Sequence, residues 1–541
     1  MDKQLWLAKR QLTLDKMEHA RAILTEVRAG GEVFKVVRRH PLPGGGYLSK
    51  SMLVAAYRAL VASGEWQADD DLLARIRMKP VRTLSGVTTV TVLTKPYPCP
   101  GKCIFCPTDA RMPKSYLPDE PGAARAYQND FDPYQQAQTR LASYHANGHP
   151  TDKIELLILG GTWSAYRRDY QEWFVRRCFD AMNGFDSSSL KEAQRANETA
   201  ASRNVGLVIE TRPDEISPGE IAWLRYLGVT KVQMGAQSLD DHILALNQRG
   251  HTAADTLRAT GLLRAAGFKV VLHWMPNLLG ATPESDRLDF ARLWQGYCPD
   301  EIKIYPCQLL ENTDLYAHWQ RGEYQPYTTA GLIDLIAGLM PDIPSYCRVN
   351  RVIRDIPSTH VVAGNRRTSL HMDILAELEQ RGQTCGCIRC HEVRGERVDA
   401  ATLRLEDTVY PAAVAEEHFL HFRTPRGQIA GYLRLSLPKT GAPQLGLPDL
   451  DGAALIREVH VYGQSLPVGV DQDGAAQHAG LGRALIFAAE QIARQRGFRR
   501  MAVIAAVGTR RYYHKRGFEM GELYMVKDLS AVSPADYEVA A

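Results

Sequence analysis

The chain has 541 residues, with 65 Lys and Arg against 61 Asp and Glu, 45% hydrophobic and 8% aromatic residues. That composition excludes a disordered tail, a collagen-like repeat and a disulfide-dense miniprotein. At roughly 150 residues per domain, the length predicts three or four folding units. No window reaches the ~18–20 apolar residues that span a bilayer. The start, Met1-Asp2-Lys3-Gln4, lacks an apolar signal segment, so a cytoplasmic protein without a membrane association is expected.

The net charge of +4 is unevenly spread. Residues 1–80 are read as a basic helical region with Lys35, Arg38, Arg39 and His40 clustered. From Leu72 to Pro98, Arg75, Arg77, Lys79, Arg82 and Lys95 occur without an acid. Between Glu490 and Glu519, Arg494, Arg496, Arg499, Arg500, Arg510, Arg511, Lys515 and Arg516 do the same. Such stretches favour a polyanion partner, because each neutralised phosphate releases counterions. A nucleic acid and a large phosphorylated cofactor both fit.

A strand is predicted over Thr88–Leu93, followed by Cys99-Pro-Gly-Lys-Cys103-Ile-Phe-Cys106. The C-x3-C-x2-C spacing lets three thiolates bind three irons of a 4Fe–4S cubane. The fourth iron is left for the amino and carboxylate groups of S-adenosylmethionine. A structural zinc is the competing reading, and it would want a fourth ligand nearby. Further strands are predicted at Ile154–Gly160, Val205–Thr211, Lys231–Gly235, Lys269–Met275 and Ile302–Tyr305, with helices such as Thr252–Ala266 between them. Apolar strands with helical crossovers predict a partial parallel (βα)6 barrel over residues 81–340. In barrels the chemistry sits at the C-terminal strand ends. There stand Gly160 and Gly161, Glu210 and Arg212, Gln237 and Tyr305. The glycine pair suits close backbone approach to a ligand; Glu210 and Arg212 suit its amino and carboxylate groups, or a structural ion pair.

Residues 341–400 are read as a connector carrying Cys385-Gly-Cys387-Ile-Arg-Cys390-His391. This spacing suits a zinc knuckle, with His391, Cys347, Cys307 or water as fourth ligand; a second iron–sulfur cluster is the alternative. Cys178 is read as a core residue.

From residue 401 the pattern turns to an α+β unit. Strands are predicted at Glu417–Phe422, Gln428–Leu437 and Ala454–Tyr462. A Gly-rich turn, Gln477-His478-Ala479-Gly480-Leu481-Gly482-Arg483-Ala484, then opens a helix. Free N–H groups and the dipole end there suit a pyrophosphate. A strand at Met501–Val507, then Tyr512, Tyr513 and Gly517-Phe518, completes an order that resembles the GNAT acetyltransferases. In that resemblance Glu458 and His460 face the thioester, and Tyr513 approaches the coenzyme sulfur; core packing is the bland reading of Tyr512 and Tyr513.

The words CPGKCIFCP, TDKIELLILGGTW, IETRPD, GAQS, NQRGH, REVHVYG, QHAGLG and GTRRYYHKRGF stand in family order over residues 80–529. With them the chain resembles the catalytic subunit of Elongator, and more narrowly the stand-alone prokaryotic tRNA-uridine acetyltransferases. The resemblance implies reaction at wobble uridine 34, read in the tRNA anticodon stem-loop. A 5′-deoxyadenosyl radical takes a hydrogen from the acetyl methyl of acetyl-CoA. The carbon radical adds to uracil C5, and thioester hydrolysis leaves 5-carboxymethyluridine.

The resemblance also implies that Cys99, Cys103 and Cys106 hold the cluster and that Lys153 contacts acetyl-CoA. It places Glu458, Val459, His460, Val461, Ala476, Gln477, His478, Gly480, Gly482, Arg483 and Tyr513 at the coenzyme, and Cys385, Cys387 and Cys390 at a structural zinc. Catalytic roles fall to Lys153, Glu458, His460, Tyr512 and Tyr513. Loop Gln464–Ala476 is expected to occupy the coenzyme channel until tRNA binds. Elongator-like partner subunits are expected to be absent, and a homodimer is left open. A protein lysine acetyltransferase with a structural cluster domain is the alternative activity, and a tRNA-binding scaffold the non-catalytic one.

Overall fold

The computed structural model describes residues 12–394, 398–462 and 476–530, with side chains in the last segment from residue 480 onward. Loop 464–475 therefore lies outside the described residues. Among those described, no helix is long and apolar enough to cross a membrane.

Four helices, Leu14–Arg28, Val33–Arg39, Lys50–Ala62 and Asp70–Ile76, form the N-terminal region. Ile23, Leu24 and Val27 pack on Leu53, Val54 and Leu60 in a core of their own. Several basic side chains of this region are structural. Arg39 and His40 bind Glu26 at 3.0 and 2.5 Å, Arg75 donates to Gly31 O, and Arg77 donates to Gly148 O. Lys35, Arg38, Lys79 and Arg82 remain exposed.

The first sheet is wholly parallel, in chain order: β1 (Thr88–Leu93), β2 (Lys153–Leu159), β3 (Arg203–Thr211), β4 (Lys231–Gln237), β5 (Lys269–Trp274), β6 (Glu301–Ile304) and β7 (Arg348–Val352). The (βα)6 expectation is one strand short, because β7 comes from the stretch read as a connector. Ile154, Leu156 and Ile158 of β2 pack outward beneath the covering helices, with Phe174 and Val175. Alternate residues turn inward: Glu155, Lys231, Gln233, His273 and Lys303 line the barrel interior. The two-residue period of a strand thus separates an apolar outer face from a polar inner one.

The second sheet has the order β13-β14-β12-β11-β10-β9-β8. Its strands are β8 (Arg404–Pro411), β9 (Ala415–Arg423), β10 (Ile429–Pro438), β11 (Ala453–Val461), β12 (Arg500–Val503), β13 (Glu519–Met520) and β14 (Met525–Asp528). All neighbours are antiparallel except β11 and β12. That parallel pairing stops at Ile456 with Val503, so β11 runs on to Val461 beside β10 alone. The helix after it spans Ala476–Gln495. The Gln477–Ala484 run expected as a turn therefore lies within that helix.

The second sheet docks on the N-terminal ends of the barrel strands, which form the barrel floor. A register shift between β10 and β11 leaves Arg457 as an extra residue. Such a bulge re-aims a side chain. The Arg457 guanidinium binds Asp300 with Nη1 at 2.8 Å and Nη2 at 2.6 Å, and Nη2 meets Glu417 at 2.8 Å. Arg264 meets Glu417 at 3.2 Å, and Arg434 meets Asp300 at 3.4 Å. All five side chains are buried. In the C-terminal basic stretch, Arg510 binds Glu198 at 3.1 Å and Arg500 donates to Pro448 O at 2.9 Å.

Candidate active site

At the C-terminal end of β1 the chain enters the first cysteine loop. Cys106 N donates to Cys103 O at 3.1 Å, which closes a tight turn. Gly101 N donates to Cys99 Sγ at 3.4 Å, and the Arg249 guanidinium donates to Cys103 Sγ at 3.0 Å. Donors aimed at sulfur stabilise thiolates, so this loop fits an anionic thiolate cluster. Thr162, following the Gly160-Gly161 turn, bonds Cys99 Sγ at 3.4 Å. Both glycines have positive φ, +134° and +79°. A Cβ on Gly160 would overlap Thr94.

Glu210 and Arg212 do not pair with each other. Glu210 accepts from the Tyr116 hydroxyl at 2.9 Å and meets Lys303 at 3.4 Å. Arg212 binds Asp214 and Arg249 O. Its Nη1 has no partner and lies where a Cβ on Gly101 would sit. Gln237, at φ +67°, likewise leaves a buried Oε1 unpartnered. Two orphaned polar atoms beside the cysteine loop fit a ligand with its own donors and acceptors. Tyr116, Arg249, His273 and Lys303 join this wall without having been singled out in the sequence; Arg249 stood inside the word NQRGH.

The cysteine loop and the inner strand faces enclose a cavity of about 1020 Å³. Its walls carry eleven Lys or Arg, among them Arg82, Arg125, Arg140 and Arg351, against four Asp or Glu. Such an excess of cations draws in polyanions.

The cavity's deep end continues as a ladder of ion pairs across the floor. Lys231 meets Glu155 at 2.6 Å and Glu301 at 3.3 Å, and Lys269 joins Glu301 at 3.4 Å to Glu458. Glu458 also accepts from Tyr432 Oη and Arg434 Nε, both at 2.9 Å. Burial works to raise its pKa, but Lys269 and Arg434 outweigh that and hold it below the usual carboxylate range. Glu458 is therefore a fixed anion that anchors the end of β11. His460 stands two residues on, along the same strand. Burial brings its pKa down to about 4, and its Nε2 is buried without a partner.

Lys153 starts β2, at the floor end and away from the cysteines; burial lowers its pKa. Val459 and Val461 flank His460 on the free stretch of β11. A Cβ on Gly482 would come 2.5 Å from the Tyr512 hydroxyl, so that tyrosine lies against the helix backbone. Tyr513 is buried against Phe518. Ala476, Gln477 and His478 lie in the first turns of the same helix, Gly480 and Arg483 are exposed, and the side chains of 476–479 are outside the description.

The second cysteine group is tight. The sulfurs of Cys385, Cys387 and Cys390 all lie within 4.8 Å of one another. Thiolates on one tetrahedral zinc stand about 3.8 Å apart, given Zn–S bonds near 2.3 Å, so the group suits a single ion. Hydrogen bonds from Cys385 and Cys390 hold the Cys387 thiol below the usual thiol range. His391 Nδ1 faces Cys387 O at 3.0 Å, and Cys347 O accepts from Ile388 N. Cys307, one of the four expected fourth ligands, lies elsewhere, packed with Cys103 and Phe105.

A parallel half-barrel with three cysteines at its mouth defines a class, and residues 97–293 match the Radical SAM superfamily. Residues 299–381 match the Radical SAM C-terminal domain. Membership implies a 4Fe–4S cluster and S-adenosylmethionine.

The chain is 44% identical to the tRNA uridine(34) acetyltransferase of Dehalococcoides mccartyi, over 83% of this chain and 99% of that protein. It is 34% identical to Elongator complex protein 3 of Homo sapiens, over 85% of this chain and 87% of that one. The solved structure of the archaeal Methanocaldococcus infernus Elp3, with an N-terminal deletion, superposes with a TM-score of 0.72 at 36% identity. That match covers 82% of this chain and 100% of the other. The chain belongs to the tRNA uridine(34) acetyltransferase family, enzymes of the acyltransferase class.

Proposed function

We propose that this enzyme forms 5-carboxymethyluridine at wobble uridine 34 of tRNA, using acetyl-CoA and S-adenosylmethionine. The observation that supports this reading best is the cation-lined cavity shared by the cysteine loop and the barrel floor, with the free end of β11 beyond it. When bound to Cys99, Cys103 and Cys106, the cluster and S-adenosylmethionine supply the one-electron chemistry that makes an unactivated methyl reactive. Arg249 donates to the Cys103 sulfur, while Arg212 and Gln237 offer their free polar atoms to the methionyl group. Cavity cations outside the cysteine loop and the floor, among them Arg82, Arg125 and Arg140, hold the anticodon backbone together with the basic N-terminal region, and the wobble base enters unstacked. Residues 401–541 form a GNAT-like unit that holds acetyl-CoA between β11 and the helix Ala476–Gln495. Glu458 fixes the strand end, and His460 takes the proton of the water that cleaves the thioester.

Anaerobic reconstitution with tRNA, acetyl-CoA, S-adenosylmethionine and a reductant tests the reading. Nucleoside mass spectrometry should show 5-carboxymethyluridine; acetylated peptide with unmodified tRNA would overturn it.

His460→Gln should slow thioester cleavage roughly 10²–10⁴-fold, the usual worth of a positioned base. The wild-type rate should be flat from neutral pH downward and fall only as pH drops through about 4, where His460 is protonated. A pH–rate profile of acetyl-CoA hydrolysis reads both effects.

Cys385, Cys387 and Cys390 hold a structural zinc in this reading. Cys390→Ser should lower the zinc measured by mass spectrometry from one equivalent towards zero and lower the urea midpoint, while iron content is unchanged.

A further inference from the structure

The cluster on the first cysteine loop needs one electron from outside for each activation, and tunnelling rates fall exponentially with distance. A donor must therefore dock where that loop comes near the surface. Cys103 is buried; Cys99 and Cys106 are partly exposed. Cys106 lines the cavity together with Ser115 and Arg354. Cys99 lines the same cavity, and on its other side it is bonded to Thr162 and close to Tyr166, whose ring belongs to the covering layer.

From Cys99 a continuous stack of rings runs outward over the barrel's covering helix, Arg168–Asn183. Tyr97, two residues before Cys99, stacks on Tyr166 at 4.7 Å and 29°. Tyr166 stacks on Tyr170 at 5.3 Å and 22°, and Tyr170 meets Trp173 at 5.6 Å and 36°. Trp173 is 38% exposed. Across the same helix lie Trp223 and Tyr226, stacked at 5.1 Å, with Tyr226 39% exposed. The face is rich in cations: Lys95 lies over Tyr170, Arg168 over Trp223, and Arg167 projects into solvent from its pair with Asp169.

We propose that this aromatic and cationic face docks an acidic one-electron carrier protein, and that the Tyr97–Tyr166–Tyr170–Trp173 stack carries its electron to the cluster. The carrier loses one electron and the cluster gains one; no bond forms or breaks, and the rings serve only as a close-packed bridge. Exposed Tyr, Trp and Arg are the residues that protein interfaces favour, and although Asp169 and Glu172 share the face, the exposed Lys95 and Arg168 above its rings suit acidic groups on a partner. Single-stranded RNA fits less well. It stacks bases on bare ring faces, whereas Lys95 and Arg168 already cover Tyr170 and Trp223.

The inference rests on the cluster reading above. Its test uses the reconstituted full chain and a reduced flavodoxin, an acidic FMN protein, as probe. Stopped-flow absorbance follows cluster reduction, and calorimetry follows binding of the oxidised probe. The wild-type rate should fall with added salt. Arg168→Glu should weaken binding and slow probe-driven reduction roughly tenfold or more, because like charges now face each other. Trp173→Ala should slow reduction even at saturating probe. Reduction by dithionite, which needs no docking, should be unchanged in both variants. Probe-driven reduction at the wild-type rate in both variants would overturn the inference. So would a loss of tRNA affinity in both with probe-driven reduction intact. A wild-type chain that assembles no iron–sulfur cluster would overturn the cluster reading itself, and this inference with it.

Discussion

Replacing Cys103 with alanine is expected to abolish tRNA modification outright. Three thiolates are the minimum that hold a cubane while leaving one iron for S-adenosylmethionine, so two cannot substitute. Cys103 is the buried member of the loop, and it is the sulfur that the Arg249 guanidinium addresses at 3.0 Å. The variant therefore loses a ligand and leaves a buried cation facing a methyl group. Iron content should drop and 5′-deoxyadenosine should no longer form. Acetyl-CoA should still bind, because β11 and its neighbours lie across the barrel floor. Cys178→Ala is the matched control: that thiol is a buried core group, 3.9 Å from Pro133 O, and has no part in the loop. If Cys103→Ala retained modification, the cluster assignment would be wrong.

The second large effect is on stability. Arg457→Met should cost about 3–5 kcal/mol, because removing one partner leaves buried opposite charges uncompensated. Asp300 and Glu417 would lose the guanidinium that binds both. Arg457→Lys should rescue little, since an ammonium cannot reproduce the fork that grips Asp300 through two nitrogens. Urea midpoints followed by a probe in each sheet read the change. The same cluster sets an acid limit. For Glu301, burial raises the pKa, but Lys231 and Lys269 outweigh it and bring it down to about 2. Asp300 is held still lower by Arg457, Arg434 and Arg264 against the same opposing burial. Carboxylates depressed in the folded state stabilise it fully above their unfolded pKa values and lose that contribution as pH falls. The Glu301 contribution should therefore be complete at neutral pH and disappear between about pH 4.5 and 2.

The legible parts of this fold share a cause. Strands β1 to β6 carry continuous or alternating apolar runs, and their bounds fall within two residues of the expectation. β7, Arg348-Val-Asn-Arg-Val352, has polar residues at three of its five positions, because Asn350 bonds Glu301 inside the barrel and Arg348 binds Glu392. β8 is an exposed edge strand, so its side chains carry no core pattern. The cysteine loops were visible because ligand spacing is local. Arg249, Tyr116 and Lys303 were not, since each reaches the loop or Glu210 across long sequence separations. The floor is the clearest case. Asp300, Arg264 and Arg434 carry no local signal, Glu417 only opens a predicted strand and Arg457 only stands inside the word REVHVYG; tertiary contact alone pairs them.

Arg457 and Glu458 are consecutive residues of β11, yet one is buried in the barrel floor and the other anchors the strand end that carries His460. The bulge thus binds inheritance of the two halves together. A C-terminal piece grafted onto another scaffold would carry Arg457, Arg434 and Glu417 into solvent without Asp300 to receive them. A barrel alone would bury Asp300 under nothing. Exchange between lineages should therefore preserve whole chains rather than shuffle their halves, and chimeras cut near residue 400 should fail unless the floor and β11 come from the same parent.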